Sequence, residues 1–122
     1  MANPVVHFEV TGDDGPALQR FYGDVFGWEI DAGNPMGYGM VQPGPIGGGI
    51  SGGAEGGGGW VTWYVEVANL ESTLAEVERR GGRSVMPPMD VPGGPRMAQF
   101  TDPEGHRIGL VQAGTMRSGS GQ

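Results

Sequence analysis

The chain has 122 residues, seven Lys and Arg against fourteen Asp and Glu, and no cysteine. Its length suits one domain with a modest core. A net charge of −7 with no basic run disfavours nucleic acid as a partner, and the lack of thiols excludes disulfides, thiolate zinc sites and a cysteine nucleophile.

No apolar run reaches the roughly 18 residues that a membrane-spanning helix needs. The opening Met1-Ala2-Asn3-Pro4 has no basic segment leading into an apolar one. The expectation is a soluble, cytoplasmic protein with no membrane partner. The 26 glycines follow no Gly-X-Y period and cluster between periodic apolar segments, which predicts long loops on a folded core.

"VVHFEV" (5–10) alternates as a strand. Val6, Phe8 and Val10 form one face; Val5, His7 and Glu9 form the other. A helix follows, capped by Asp13 or Asp14, with Pro16 in its first turn and Gly27 as its stop. Leu18, Phe21, Tyr22, Val25 and Phe26 give it an apolar face. "WEI" opens a strand, with Trp28 read as core. Short strands are predicted over "YGMVQ" (38–42) and, weakly, over 46–51. "GGAEGGGG" (52–59) reads as a flexible linker.

The order then repeats. "WVTWYVEV" (60–67) is a strand, with Trp60, Thr62 and Tyr64 on one face and Trp63 on the other, under the second helix. "NLESTLAEVERRGG" is a helix capped by Asn69, with Leu70, Leu74 and Val77 inward and Gly81-Gly82 as the stop. "RSVM" is a short strand, "PPMDVPGGP" a loop and "RMAQF" a strand. In "FTDPEGHRIGLVQ", Asp102-Pro103-Glu104-Gly105 is a turn and 107–112 the last strand. Gly109, in the middle of that strand, weakens it. Either something needs room there or a functional side chain is missing. Residues 113–122 read as a polar tail.

"HFEV" at His7 matches "YVEV" at Tyr64, and each leads into a capped helix and three strands. This is an internal repeat, and it predicts an α+β fold of two βαβββ modules, over about 4–51 and 60–112. Each helix would cover the outer face of its sheet, leaving the inner faces to curve around a shared cleft.

Paired modules, "FYGDVFGWEI", "YVEVANLESTLAEVERRGG" and "FTDPEGHRIGLVQ" together resemble the vicinal oxygen chelate superfamily, also called glyoxalase/bleomycin-resistance/dioxygenase. The resemblance runs from Val5 to Gln112. It is strongest toward a glyoxalase-like subgroup marked by "VHFE", "FYxxVFGW" and "DPEGNxFGLxQ", to which no single reaction is attached. The family's metal enzymes carry His on the first strand of each module and Glu on the last. Carried over position by position, these ligands fall at Val5, near Ile50, at Thr62 and at Gly109. None supplies an imidazole or carboxylate, so no metal and no other cofactor is expected. Gly109 then reads as a vacated ligand position whose volume an organic ligand could use. Relatives of this size also imply a homodimer.

Val5, His7, Glu9, Trp60, Thr62, Tyr64 and Gly109 share the cleft-facing parity. His7 suits a general acid/base or a relocated metal ligand, and equally a hydrogen-bonded pocket histidine. Glu9 and Glu66 suit an acid/base pair, or a pairing with an arginine such as Arg96. His106, in the final turn, is expected in solvent. The Gly-rich 44–59 stretch lacks the Lys-Ser/Thr ending of a phosphate loop, and no nucleophile-elbow serine occurs. Two functions fit. One is a metal-independent binder of a small, partly aromatic molecule, with Arg96 among its contacts. The other is a lyase, isomerase or cyclase, metal-free through His7, Tyr64 and Glu66 or with a metal at non-standard positions.

Overall fold

A computed structural model describes residues 2–34, 37–52 and 59–115. Residues 53–58 of the expected linker (52–59) and most of the expected tail lie outside that description. The elements run β1 (Val5–Thr11), α1 (Gly15–Phe26), β2 (Ile30–Asp31), β3 (Gly39–Val41), β4 (Gly47–Ser51), β5 (Trp60–Val67), α2 (Leu70–Arg79), β6 (Arg83–Asp90), β7 (Arg96–Thr101) and β8 (Arg107–Gln112). This is the expected α+β fold with βαβββ twice over. Among the described residues, no helix is long and apolar enough to cross a membrane.

The chain divides into two compact units. One is Val6–Trp63; the other holds the described residues from Tyr64 onward together with those up to Val5. Strand β5 contributes residues to both.

In the unit Val6–Trp63 the strand order is β2-β3-β4-β1. β1 and β4 are parallel, with His7 opposite Gly47 and Glu9 opposite Gly49, while β3 runs antiparallel to β4. Of the two candidate caps, Asp14 is the one used: its carboxylate accepts the Ala17 N–H at 3.0 Å. Gly27 closes α1 in the left-handed region at φ 71°, its N–H donating to the Gly23 carbonyl. That conformation strains any residue with a Cβ.

Few apolar side chains are fully buried in this unit, chiefly Val41 and Ile50. Close packing is achieved instead by rings lying on glycine. A Cβ at Gly48 would collide with the Phe8 ring, and one at Gly49 with the Tyr38 ring. These two glycines are neighbours on β4 and face opposite ways, so the strand is covered by an aromatic ring on each side. The sequence pattern made this segment look weak because its packing groups belong to other strands.

The apolar face predicted for α1 is only partly inward. Phe21, Val25 and Phe26 are each more than half exposed. The aromatic side chains pack on one another: Tyr22 stacks on Trp28 at 6.1 Å, Phe26 meets Trp28 at 5.1 Å and Phe8 meets Trp28 at 6.0 Å. Trp28, read as core, is half-buried within this cluster.

In the other unit the order is β5-β8-β7-β6. β5 and β8 are parallel, with Tyr64 opposite Gly109; β7 is antiparallel to both β8 and β6. Here a conventional core forms from Val67, Leu70, Leu74, Ala98 and Leu110, with Val65 and Phe100 against it. Fully burying a leucine such as Leu70 contributes about 1.5–3 kcal/mol. Asn69 caps α2 as expected, accepting the Ser72 N–H at 2.8 Å.

Two expectations fail on strand edges. β6 does not stop at Met86 but runs on through Pro87-Pro88 to Asp90, with register shifts between Ser84 and Met86 and between Met86 and Met89. Proline is tolerated there because β6 is the last strand in its order and has no outer neighbour to receive an N–H. Trp63 is not packed beneath a helix: it is 51% exposed, and Val61, of the same parity, is 75% exposed. The turn before β8 behaves as its residues dictate. Asp102 Oδ1 accepts the N–H groups of Glu104 and His106, and Gly105 takes φ 93°.

Candidate functional site

Alternation along β1 places His7 and Glu9 on the face opposite Phe8. Tyr38, just before β3, lays its ring over Gly49 on that same face. His7 Nε2 lies 2.9 Å from the Tyr38 hydroxyl, and the two rings are parallel to within 13°. The Tyr38 hydroxyl donates to Glu9 Oε2 at 3.3 Å, and the Trp60 indole N–H donates to Glu9 Oε1 at 3.3 Å. A single carboxylate therefore gathers a phenol and an indole, and the phenol in turn meets an imidazole.

Burial holds the His7 pKa below its ordinary value, and the nearby Glu9 charge offsets only part of that effect. The imidazole is thus neutral near pH 7. The Tyr38 oxygen can donate to Glu9 only if His7 Nε2 carries the proton in their mutual contact. This leaves Nδ1 as the lone-pair nitrogen. The series His7–Tyr38–Glu9 can hold a polar group of a ligand, and the rings of Tyr38 and Trp60 offer flat apolar surface.

The other unit carries a second polar series. Tyr64 is 4% exposed, and its ring covers Gly109. Gln99, 5% exposed, donates from Nε2 to the Tyr64 hydroxyl at 2.9 Å, while Gln99 Oε1 accepts from Arg107 Nε at 2.6 Å. The space at Gly109 is therefore not open to a ligand. Tyr64, a residue of the neighbouring strand, occupies it, which answers why a glycine stands there.

His7, Glu9 and Trp60 come together, joined by Tyr38. Thr62 is buried, its hydroxyl donating to the Trp63 carbonyl at 3.3 Å. Val5 is 43% exposed at the start of β1. Glu66 is half-buried, and its N–H donates to the Pro4 carbonyl. Among the described residues of its own unit, Arg96 does not pair with Glu66. Its guanidinium donates to both carboxylate oxygens of Glu71, in the first turn of α2, and to Gln112 Oε1. That pairing lowers the Glu71 pKa, chiefly through the side-chain hydrogen bond, and makes Arg96 a clasp between β7 and α2. His106 is 71% exposed beside Asp102, consistent with a solvated residue.

Tyr38 and Gln99 were not singled out from the sequence. For Gln99 a signal existed: a glutamine alternating with Ala98 and Phe100 in a central strand needs partners. For Tyr38 the only signal was indirect, the run Gly47-Gly48-Gly49, which leaves a gap that some ring must fill.

The superfamily's metal enzymes call for imidazole and carboxylate donors. Val5 offers an isopropyl group, Thr62 an engaged hydroxyl and Gly109 a hydrogen atom. Ile50 is fully buried and apolar. Among the described residues, no three His, Asp or Glu side chains gather in a way that could hold a metal ion. Val5, Ile50, Thr62 and Gly109 thus supply no imidazole or carboxylate donor.

Two βαβββ units, each closing its last strand parallel to its first, define the vicinal oxygen chelate class of α+β protein. The chain belongs to the Glyoxalase/Bleomycin resistance protein/Dioxygenase superfamily, whose sequence profile matches residues 5–110. It is 31% identical over 110 residues to "Putative glyoxylase CFP32" of Mycobacterium bovis, a match covering 82% of this chain and 42% of that protein. The chain therefore spans less than half the length of that curated relative. A superfamily member from Vibrio splendidus shares the fold at TM-score 0.62 and 18% identity, covering 91% of this chain and 99% of its own. Methylmalonyl-CoA epimerase from Mycobacterium tuberculosis does so at TM-score 0.62 and 15% identity, covering 88% and 86%.

Proposed function

We propose that the protein binds a small, partly aromatic organic molecule against the His7–Glu9 face of β1, without the family's usual metal. The observation that carries this reading is the constellation of His7, Tyr38, Glu9 and Trp60. It combines flat apolar surface with a few convergent polar groups, the usual make-up of an organic ligand site. The donor-poor positions Val5, Thr62 and Gly109 support the metal-free part. Elemental analysis of purified protein, followed by a thermal-shift screen of aromatic compounds, tests both parts. Metal should be substoichiometric, and a stabilising compound should lose its effect in Tyr38→Ala. About one tightly held Zn, Ni, Fe or Mn per chain, removed by chelator with loss of ligand binding, would overturn the reading.

A second reading, an enzyme of lyase, isomerase or cyclase type, draws on the continuous hydrogen-bonded series His7–Tyr38–Glu9, which suits proton transfer. Tyr64, whose hydroxyl accepts from Gln99 and keeps its own proton to donate, and Glu66 remain candidates in this reading. The names of the similar proteins, a glyoxylase and an epimerase, support this reading by analogy only. His7→Gln separates the two. A binder should lose about 0.5–1.5 kcal/mol of affinity. An enzyme should lose roughly 10²-fold in turnover with little change in binding.

We also propose pairing into a homodimer. Exposed Phe21, Val25 and Phe26 on one helix support it, since gathered apolar side chains favour association. A monomeric mass by light scattering at micromolar concentration would contradict it.

A further inference from the structure

On the Phe8 side of β1, away from His7, α1 and β2 border an open surface cavity of about 410 Å³ lined by Pro16, Gln19, Arg20, Gly23, Asp24, Trp28 and Ile30. That volume lies within the ordinary range for small-molecule sites. Its walls are fixed. Trp28 is held by its ring contacts with Phe8, Tyr22 and Phe26. Gln19 is anchored by donating to the carbonyls of Gly37 and Ile50. Gly23 lets the helix lie close to the chain at Trp28, whose carbonyl would stand 3.2 Å from any Cβ there.

Arg20 and Asp24 both line this cavity. They stand four residues apart on α1, a spacing at which opposite charges usually meet. Yet among the described residues neither belongs to any ion pair within 4.0 Å. A cation and an anion thus border the same groove, whose lining is mostly polar with Trp28 and Ile30 as its apolar part, without pairing with each other. A molecule matching all of this carries a carboxylate for Arg20, an ammonium for Asp24 and an apolar group for Trp28 and Ile30. A guanidinium is also well shaped to take a carboxylate through two parallel hydrogen bonds.

We infer that this cavity is a second binding site, for a small zwitterion of the α-amino-acid type with an apolar or aromatic side chain. It is separate from the His7 face, so neither site depends on the other.

The test uses the full chain, with the indole N–H resonances of its tryptophans as reporters and L-phenylalanine as the probe. 3-Phenylpropionate, which lacks the ammonium, and phenethylamine, which lacks the carboxylate, are the controls. L-Phenylalanine should shift the Trp28 indole resonance saturably, and each control should bind about tenfold more weakly, as should Arg20→Met and Asp24→Asn with the amino acid. Both substituted side chains are exposed, so the variants should keep the parent melting temperature. No saturable Trp28 shift at tens of millimolar would overturn the inference. So would binding indifferent to both variants, or binding that shifts Trp60 alone. The first two outcomes leave the proposal for the His7 face untouched, and the third would support it.

Discussion

Replacing Gly109 with alanine should cost far more than one methyl group suggests. A Cβ at this position would stand 2.7 Å from Tyr64 Cγ, with the ring edge closer still. Forcing an extra carbon into a packed interior costs about 1–3 kcal/mol. The ring can relieve only part of the clash by swinging aside, which also separates the Tyr64 hydroxyl from Gln99 Nε2 and leaves a buried amide without its partner. An unsatisfied buried polar group costs about 1–3 kcal/mol more. Against this, alanine restricts the unfolded chain and recovers about 0.4–1 kcal/mol. The net loss should be about 2–5 kcal/mol, and at about 4 °C per kcal/mol the melting temperature should fall by roughly 8–20 °C. Equilibrium unfolding in urea, followed by tryptophan fluorescence, measures it. The same substitution made in a Tyr64→Ala background should be nearly neutral, because the ring it collides with is gone. An unchanged urea midpoint for Gly109→Ala, or an equal cost in both backgrounds, would refute the reasoning.

Stability should also depend on pH through His7. Its folded pKa lies below the unfolded value of about 6.5, so as pH falls through that value the unfolded chain takes up a proton that the folded one does not. Stability should drop from there down to the folded pKa and then stop dropping on this account; denaturation midpoints across this range should lose the slope in His7→Gln. Removing either helix cap, Asp14→Ala or Asn69→Ala, should cost about 1 kcal/mol, read from urea midpoints. Gly49→Ala should displace the Tyr38 ring and with it the contacts to His7 and Glu9. Ligands found for that face should then weaken at least as much as in Tyr38→Phe, and an unaltered affinity would separate Tyr38 from binding.

The repeated module was legible in the sequence because both first strands alternate, both helices carry an asparagine or aspartate cap, and a left-handed glycine caps α1 at Gly27 and follows the Arg80 cap of α2 at Gly81. These are local signals, set by residues within a few positions of one another. The site was legible only in part, for the same reason. His7 and Glu9 share a strand, so parity alone places them on one face. Tyr38 reaches that face from the segment just before β3, across Gly49, and no period in the sequence encodes that approach. Arg96 was misplaced because its partner, Glu71, belongs to a helix that passes near β7 only after folding. Gly109 was read as a gap left by a lost ligand. The glycine and its occupant, Tyr64, sit opposite each other on paired strands, 45 positions apart in the chain. The α1 face is less inward than its period suggests, because its rings touch one another and Trp28 while Phe21 and Phe26 stay more than half exposed.

The two rings clasping β4 also constrain how this chain can change over generations. Phe8 and Gly48 fit only as a pair, as do Tyr38 and Gly49. A larger residue on the strand is tolerated only after its ring has shrunk, and a shrunken ring beside glycine leaves a hole. Every single-step route from one packed arrangement to another therefore passes through a less stable intermediate. Variation in descendants of this chain should appear as matched exchanges, ring for side chain, at positions 8 with 48 and 38 with 49. A library randomising either member alone should return almost entirely the residue already there, whereas one randomising both should recover new pairs.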